Sequence, residues 1–262
     1  MADHKKEQER EELHRTIWAI ANDLRGSVDG WDFKQYVLGM LFYRYISENF
    51  TDYINQGEQE AGNEGFDYAL LPDEDAEQAR EDLITTKGFF ILPSQLFSNV
   101  RARAPQDENL NETLAAVFQA IEDSAKGSES EDDFKGLFDD IDVNSNKLGA
   151  TVAKRNEKLV KLLNGVGDMQ LGNYQDNTID AFGDAYEYLM GMYASNAGKS
   201  GGEYFTPQEV SELLTRIAIG EKTEVNKVYD KTTPRLIQFH TLKNAVNPPF
   251  LGGFSIFNTV VA

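Results

Sequence analysis

Cysteine is absent from the 262 residues. That removes disulfides and thiolate metal sites and makes the cytoplasm the expected compartment. Histidine is nearly absent: His4, His14 and His240 are scattered, so no metal site is expected. No apolar run approaches the roughly 20 residues that cross a bilayer, and the N-terminus is charged rather than signal-like, so no membrane is expected as a partner. Positive charge is scarce too. Against 44 Asp and Glu stand 25 Lys and Arg, a formal net charge of −19. A chain that gripped DNA alone would carry a basic face, because phosphate neutralisation supplies most non-specific affinity. The remaining composition, 40% apolar and 26% charged, is that of a soluble globular protein with one large or two smaller cores.

What is present is helical periodicity. Leu13, Ile17, Ile20 and Leu24 recur at intervals of three and four, predicting a helix over 5–25 that Gly26 ends. Asp32 can cap a second helix over 32–54, whose stripe includes Phe33, Val37, Leu41, Tyr45, Phe50 and Ile54. Its aromatic density could suggest base stacking, but aromatics at helical spacing read as core. Residues 56–72 read as loop, then a helix at about 74–85 and a short extended segment, Phe89–Leu92, that Pro93 closes. Further helices are expected over 94–103, 109–124 and 147–164. The acidic run 127–133 lacks the ligand pattern of a calcium loop and reads as a solvated turn.

Residues 165–172 read as a hinge, and Asn177 or Thr178 can cap a helix carrying Ile179, Phe182, Tyr186, Leu189 and Tyr193. Gly198-Lys199-Ser200 superficially matches a phosphate loop but lacks the upstream glycine and the preceding strand. The stretch Glu203-Tyr204-Phe205-Thr206-Pro207-Gln208 carries more. Thr206 and Glu209 form a capping box with Pro207 at the first helical position, and Val210, Leu213, Leu214 and Ile217 give the helix a buried stripe. The free amides at such a helix start attract a carboxylate, and Tyr204 and Phe205 can wall an apolar pocket.

Several of these strings together resemble one family. Ile179-Asp-Ala-Phe-Gly-Asp-Ala-Tyr-Glu-Tyr-Leu189, Gly198-Lys199 and Glu203–Gln208 are similar to the modification (M) subunit of type I restriction–modification systems. Trp31–Leu38 and Gly136–Asn146 resemble the helical N-terminal domain of the same subunit, and the likeness spans roughly residues 8–230. The resemblance implies transfer of a methyl group from S-adenosylmethionine to the amino group of adenine in DNA, with the base flipped out of the duplex. It implies a specificity subunit and a restriction subunit as partners, DNA reached through the complex, and cofactor contacts at Glu203, Tyr204, Phe205, Thr206, Pro207 and Gln208. The net negative charge then fits either reliance on a basic partner or simple solubility.

The C-terminal part departs from that family. After the first strand, expected here at 225–229 and followed by Asp230, the family has an acidic-Pro-x-Cys-Gly-Ser-Gly turn; here Lys231-Thr-Thr-Pro-Arg235 follows. Asn247-Pro248-Pro249-Phe250 matches the family's catalytic string by letter. Only 16 residues separate it from Asp230, too few for one βαβ unit of roughly 30 residues. None of the 44 acidic residues lies in 231–262, and three of the seven prolines do. The tail thus reads as a changed frame, a fusion, or a basic apolar segment, and no catalytic residue is expected. The expected fold is mainly α: a helical bundle over 1–165, the truncated start of an α/β S-adenosylmethionine-dependent methyltransferase domain over 166–230, and an atypical tail over 231–262. The expected function is a modification subunit inactive in this form; the alternative is a non-catalytic module binding the specificity subunit or DNA.

Overall fold

In the computed structural model the described residues are 2–23, 30–169, 184–185, 188–189, 228–230, 236–237 and 259–261. Two compact units divide the chain: residues 11–170 form one, and residues 1–10 with 171–262 form the other.

The first unit is helical. Its order is α1 (Ala2–Asp23, begun in the other unit), α2 (Gly30–Glu60), α3 (Asp73–Ala76), α4 (Arg80–Lys87), α5 (Phe97–Arg103), α6 (Leu110–Ser124), α7 (Glu131–Phe134) and α8 (Val152–Asp168). The long α2 is the centre, packing on α5 and α8, and α8 packs in turn on α5 and α6. Most of the expected stripe residues are buried; Tyr45 and Ile54 are half-buried, and Leu24 lies outside the described residues. Leu13, Ile17 and Ile20 of α1, Phe33, Val37, Leu41, Ile46 and Phe50 of α2, and Leu110, Leu114, Val117, Phe118 and Ile121 of α6 all face the interior. Phe33, Tyr36, Tyr43 and Phe50 of α2 are core, while Phe42 and Tyr45 are half-buried. Phe50 has ring neighbours at 5.3 Å (Phe89), 5.6 Å (Tyr68) and 6.0 Å (Phe90), and Tyr43 has edge contacts with Phe97 and Phe118 at 5.4 Å each. Tyr53 is the exception, an exposed ring under the Lys87 ammonium.

Boundaries differ from the sequence reading in places. Helix α2 starts at Gly30, so Asp32 falls inside its first turn rather than at its cap. It runs on to Glu60 through a stretch expected to be loop. The single helix expected at 74–85 is broken into α3, a 3₁₀ turn over Glu77–Ala79, and α4. Helix α8 begins at Val152, where Thr151 accepts from the Lys154 amide, and it continues through Gly165 and Gly167.

Buried polar side chains serve helix starts, whose first amides lack intrahelical partners. Ser47 Oγ on α2 accepts from the Phe97 amide opening α5 at 3.2 Å. Asn156 Oδ1 on α8 accepts from the Asn111 amide in the first turn of α6 at 3.1 Å, while Asn156 Nδ2 donates to the Glu108 carbonyl. The segment between α7 and α8 is strapped across the bundle. Glu122 accepts from the Gly136 and Phe138 amides, Tyr36 donates to the Asp142 carbonyl at 2.7 Å, and Phe138 stacks on Phe118 at 4.3 Å. Gly39 makes room for this strap: a Cβ there would stand 1.9 Å from Ile141 Cδ1.

In the second unit, residues 184–185 and 188–189 are helical, and Val228–Asp230 is a strand, β1. Its neighbours are β2 (Leu236–Ile237) and β3 (Thr259–Val261), both antiparallel, in the order β2-β1-β3. The register pairs Val228 with Ile237 and with Val261, and Asp230 with Thr259. Only five residues, 231–235, join β1 to β2, a length that permits antiparallel pairing and excludes a parallel crossover.

Candidate functional site

The cofactor segment expected from the sequence, Glu203, Tyr204, Phe205, Thr206, Pro207 and Gln208, lies outside the described residues, as do Gly198–Ser200 and Asn247–Phe250. Three described stretches flank it in the sequence: part of the family string before it, the strand after it, and, earlier, the end of α8.

In the string 179–189, Ala185 and Leu189 are buried, as expected for Leu189. Asp184 is buried too, at 8% exposure, and its Oδ1 accepts from Arg10 Nε at 3.0 Å. Oδ2 of the same carboxylate is buried without a hydrogen-bond partner. A carboxylate withdrawn from water needs a cationic partner, and Arg10, within the same unit, supplies it. Sequence periodicity gave no signal for this pair, since Arg10 lies on a charged stretch of α1.

The strand, β1, ends at Asp230, the position from which the family's glycine turn departs. Both its neighbours come from 231–262, the stretch expected to depart from the family.

The helix end is α8. Arg44, only 13% exposed on α2, donates from Nη1 to the Val166 carbonyl at 2.7 Å and to the Met169 carbonyl at 2.8 Å. Its Nε meets Glu48 Oε1 at 2.6 Å. Arg101 on α5 donates from Nε to Asn164 Oδ1 at 3.2 Å and from Nη2 to Asp168 Oδ1. The signal for Arg44 was in the sequence: Val37, Leu41, Arg44 and Glu48 stand on one helical face, so an arginine there occupies an inward position. Among the described residues no group of three or more His, Cys, Asp or Glu could hold a metal, and no helix is long and apolar enough to cross a membrane.

Known proteins resemble this chain in the same order. Residues 13–166 match the HsdM N-terminal domain family, and residues 177–236 match the N-6 DNA Methylase family. The type I restriction enzyme MpnII methylase subunit of Mycoplasma pneumoniae is 50% identical over 233 residues, 86% of this chain and 43% of that protein. The type I restriction enzyme MjaIX methylase subunit of Methanocaldococcus jannaschii is 23% identical over 211 residues, 79% of this chain and 35% of that one. Among solved structures, the type I restriction-modification system methyltransferase subunit from Streptococcus thermophilus superposes with a TM-score of 0.65 at 29% identity, covering 82% of this chain and 45% of that chain. The chain therefore spans less than half the length of these relatives. The helical unit, the methylase match that follows it and the identity across both establish that this chain belongs to the methylase (modification) subunits of type I restriction–modification systems.

Proposed function

We propose that the chain corresponds to the helical domain and cofactor entrance of an adenine-N6 DNA methyltransferase that uses S-adenosylmethionine, and that by itself it does not methylate DNA. The observation that carries the first half is order: a helical N-terminal match over 13–166, then a methylase match over 177–236 that contains Glu203–Gln208. In this reading the methionine carboxylate of the cofactor meets the amides at the start of the Thr206–Pro207 helix, and Tyr204 and Phe205 flank it. The second half rests on Lys231-Thr-Thr-Pro-Arg235 standing where the family has its glycine turn. The partners are a specificity subunit, which reads the DNA sequence, and a restriction subunit; the setting is the cytoplasm.

With one jaw of the cofactor site present, the expected affinity is low. A few backbone hydrogen bonds and the helix-end attraction are worth roughly 1 kcal/mol each, while immobilising the ligand costs at least about 4 kcal/mol. Binding no tighter than about millimolar follows. Calorimetric titration with S-adenosylmethionine is expected to give little heat, and a low micromolar dissociation constant would mean that 231–262 rebuilds the second jaw.

A second reading, a non-catalytic module that binds the specificity subunit or DNA, is favoured by the same departure after Asp230. Incubation with labelled S-adenosylmethionine, duplex DNA and the cognate specificity subunit tests the inactivity that both readings share. Co-purification without label transfer is the expected result. Sequence-specific transfer to adenine would overturn the proposed inactivity.

A further inference from the structure

We propose that the last turns of α8 are a releasable latch on the chain leading into the methylase segment, held shut by Arg44 and Arg101. Residues 164–169 read Asn-Gly-Val-Gly-Asp-Met. Two glycines weaken a helix end, because glycine loses the most conformational freedom on ordering and leaves the backbone open to water. The final carbonyls of a helix also lack intrahelical partners. Left alone, this stretch would fray.

The two arginines supply what the local sequence withholds. Arg44 donates to the Val166 carbonyl, which also accepts from the Met169 amide, and to the Met169 carbonyl just beyond the helix. Arg101 grips the side chains of Asn164 and Asp168, so its guanidinium lies across the bare backbone between them. The glycines are required by these neighbours. A Cβ on Gly167 would stand 2.3 Å from Arg101 Nη1, and one on Gly165 would stand 2.5 Å from Ile20 Cγ1. The result is a segment of low intrinsic helix stability held by tertiary partners: Val166 and Met169 buried at 0% and 1% exposure, and charged clasps from two other helices. One clasp faces solvent, since Asp168 is 68% exposed, and is therefore weakened by salt.

Met169 is already extended, so opening would turn the five helical residues 164–168 from a rise of about 1.5 Å each to about 3.4 Å each, adding about 10 Å to the reach of the chain toward the methylase segment. That consequence, though not the latch itself, rests on reading 177–236 as the methylase segment.

Amide hydrogen exchange of the full chain, read on peptides covering α2, α6 and α8, tests the latch. Arg44→Met and Arg101→Met are expected to speed exchange over 164–169 by about tenfold or more, with α2 and α6 unchanged, since hydrogen bonds to a charged group are lost. Salt at about 1 M is expected to speed the wild type but not Arg101→Met. Gly167→Ala decides the sign. Helix propensity alone would slow exchange there, whereas displacement of the Arg101 guanidinium by the new methyl speeds it. Slower or unchanged exchange in Gly167→Ala, no change in Arg101→Met, or protection lost across α2 and α6 in Arg101→Met overturns the proposal. Should Arg44→Met fail to fold, the other two variants decide it. None of these readouts involves cofactor or DNA, so their failure and the failure of the proposed function are separate results.

Discussion

Phe50 and Asp184 are both buried, and they find their partners at very different distances along the chain. Phe50 packs on Tyr68, Phe89 and Phe90, all within the next 40 residues and all inside the helical unit. Asp184 meets Arg10, 174 positions earlier, and β1 pairs with strands drawn from the tail. The helical unit is thus assembled from amphipathic elements that bury one face against each other, whether near in sequence or as distant as α2 and α8, whereas Asp184 and β1 take partners from both ends of the sequence. A pattern of period 3.6 reports the first kind of contact directly. It says nothing about the second.

The comparison is sharpened most by removing a ring from the helical core. Phe50→Ala deletes a side chain with 0% exposure, and large-to-small aromatic substitutions of this kind cost about 3–5 kcal/mol. Urea denaturation followed by helical circular dichroism is expected to show a loss of that size. A loss below about 1 kcal/mol would mean that the aromatic cluster does not organise the unit.

Gly39→Ala asks a narrower question, whether the strap between α7 and α8 is held as tightly as the helices. The new methyl would overlap Ile141 Cδ1 and Cγ1, at 1.9 and 2.5 Å. Displacing a packed side chain costs about 1–3 kcal/mol. Combining Gly39→Ala with Ile141→Val, which shortens the offending chain, is expected to recover part of the loss. If the two penalties simply add, the contact is not the cause.

Sequence reasoning reached the helical unit through its stripes, and it placed the aromatics of α2 in the core because their spacing matched the stripe. It missed the breaks between α3 and α4, and the run of α8 through two glycines, because both are set by tertiary partners. Arg101 and Ile20 occupy the space a side chain at Gly167 or Gly165 would need. The family strings identified the methylase segment, but no local rule pairs Arg10 with Asp184. The family resemblance suggested a strand at 225–229, which is observed at Val228–Asp230, whereas its antiparallel neighbours had no signal, since short strands are specified by what they pair with.

Arg10→Gln tests the long-range half of the comparison. It leaves the Asp184 carboxylate buried without its cation. Because Arg10 is 42% exposed, solvent screening limits the cost to about 1 kcal/mol. Faster amide exchange over 184–189, with α6 unchanged, is the expected readout. Restoration by the double variant Arg10→Gln/Asp184→Asn would tie the effect to charge rather than to lost packing.

The smallest effect at neutral pH, none at all, is expected from the tyrosines of the helical core, which become informative only in alkali. Burial pushes the Tyr43 and Tyr68 hydroxyls well above the ordinary value of 10.0, and the nearby Asp73 carboxylate adds to the shift at Tyr68. Both hydroxyls donate to carbonyls, Tyr43 to Gln95 at 2.5 Å and Tyr68 to Ile91 at 2.8 Å. A folded-state value raised above the unfolded one gives a contribution fully present below about pH 10 and lost as pH rises further, because the unfolded chain can release protons that the folded one holds. Stability is therefore expected to be flat with respect to these groups at neutral pH and to fall above about pH 10. Absorbance titration of the eleven tyrosines against helical circular dichroism is the measurement. Two phenols are expected to ionise only as the helical signal collapses, and Tyr43→Phe and Tyr68→Phe should each remove one of them from that late step. If all eleven ionise together while the helices persist, Tyr43 and Tyr68 are open to solvent, and the helical unit lacks the tight core around Phe50 and Tyr43.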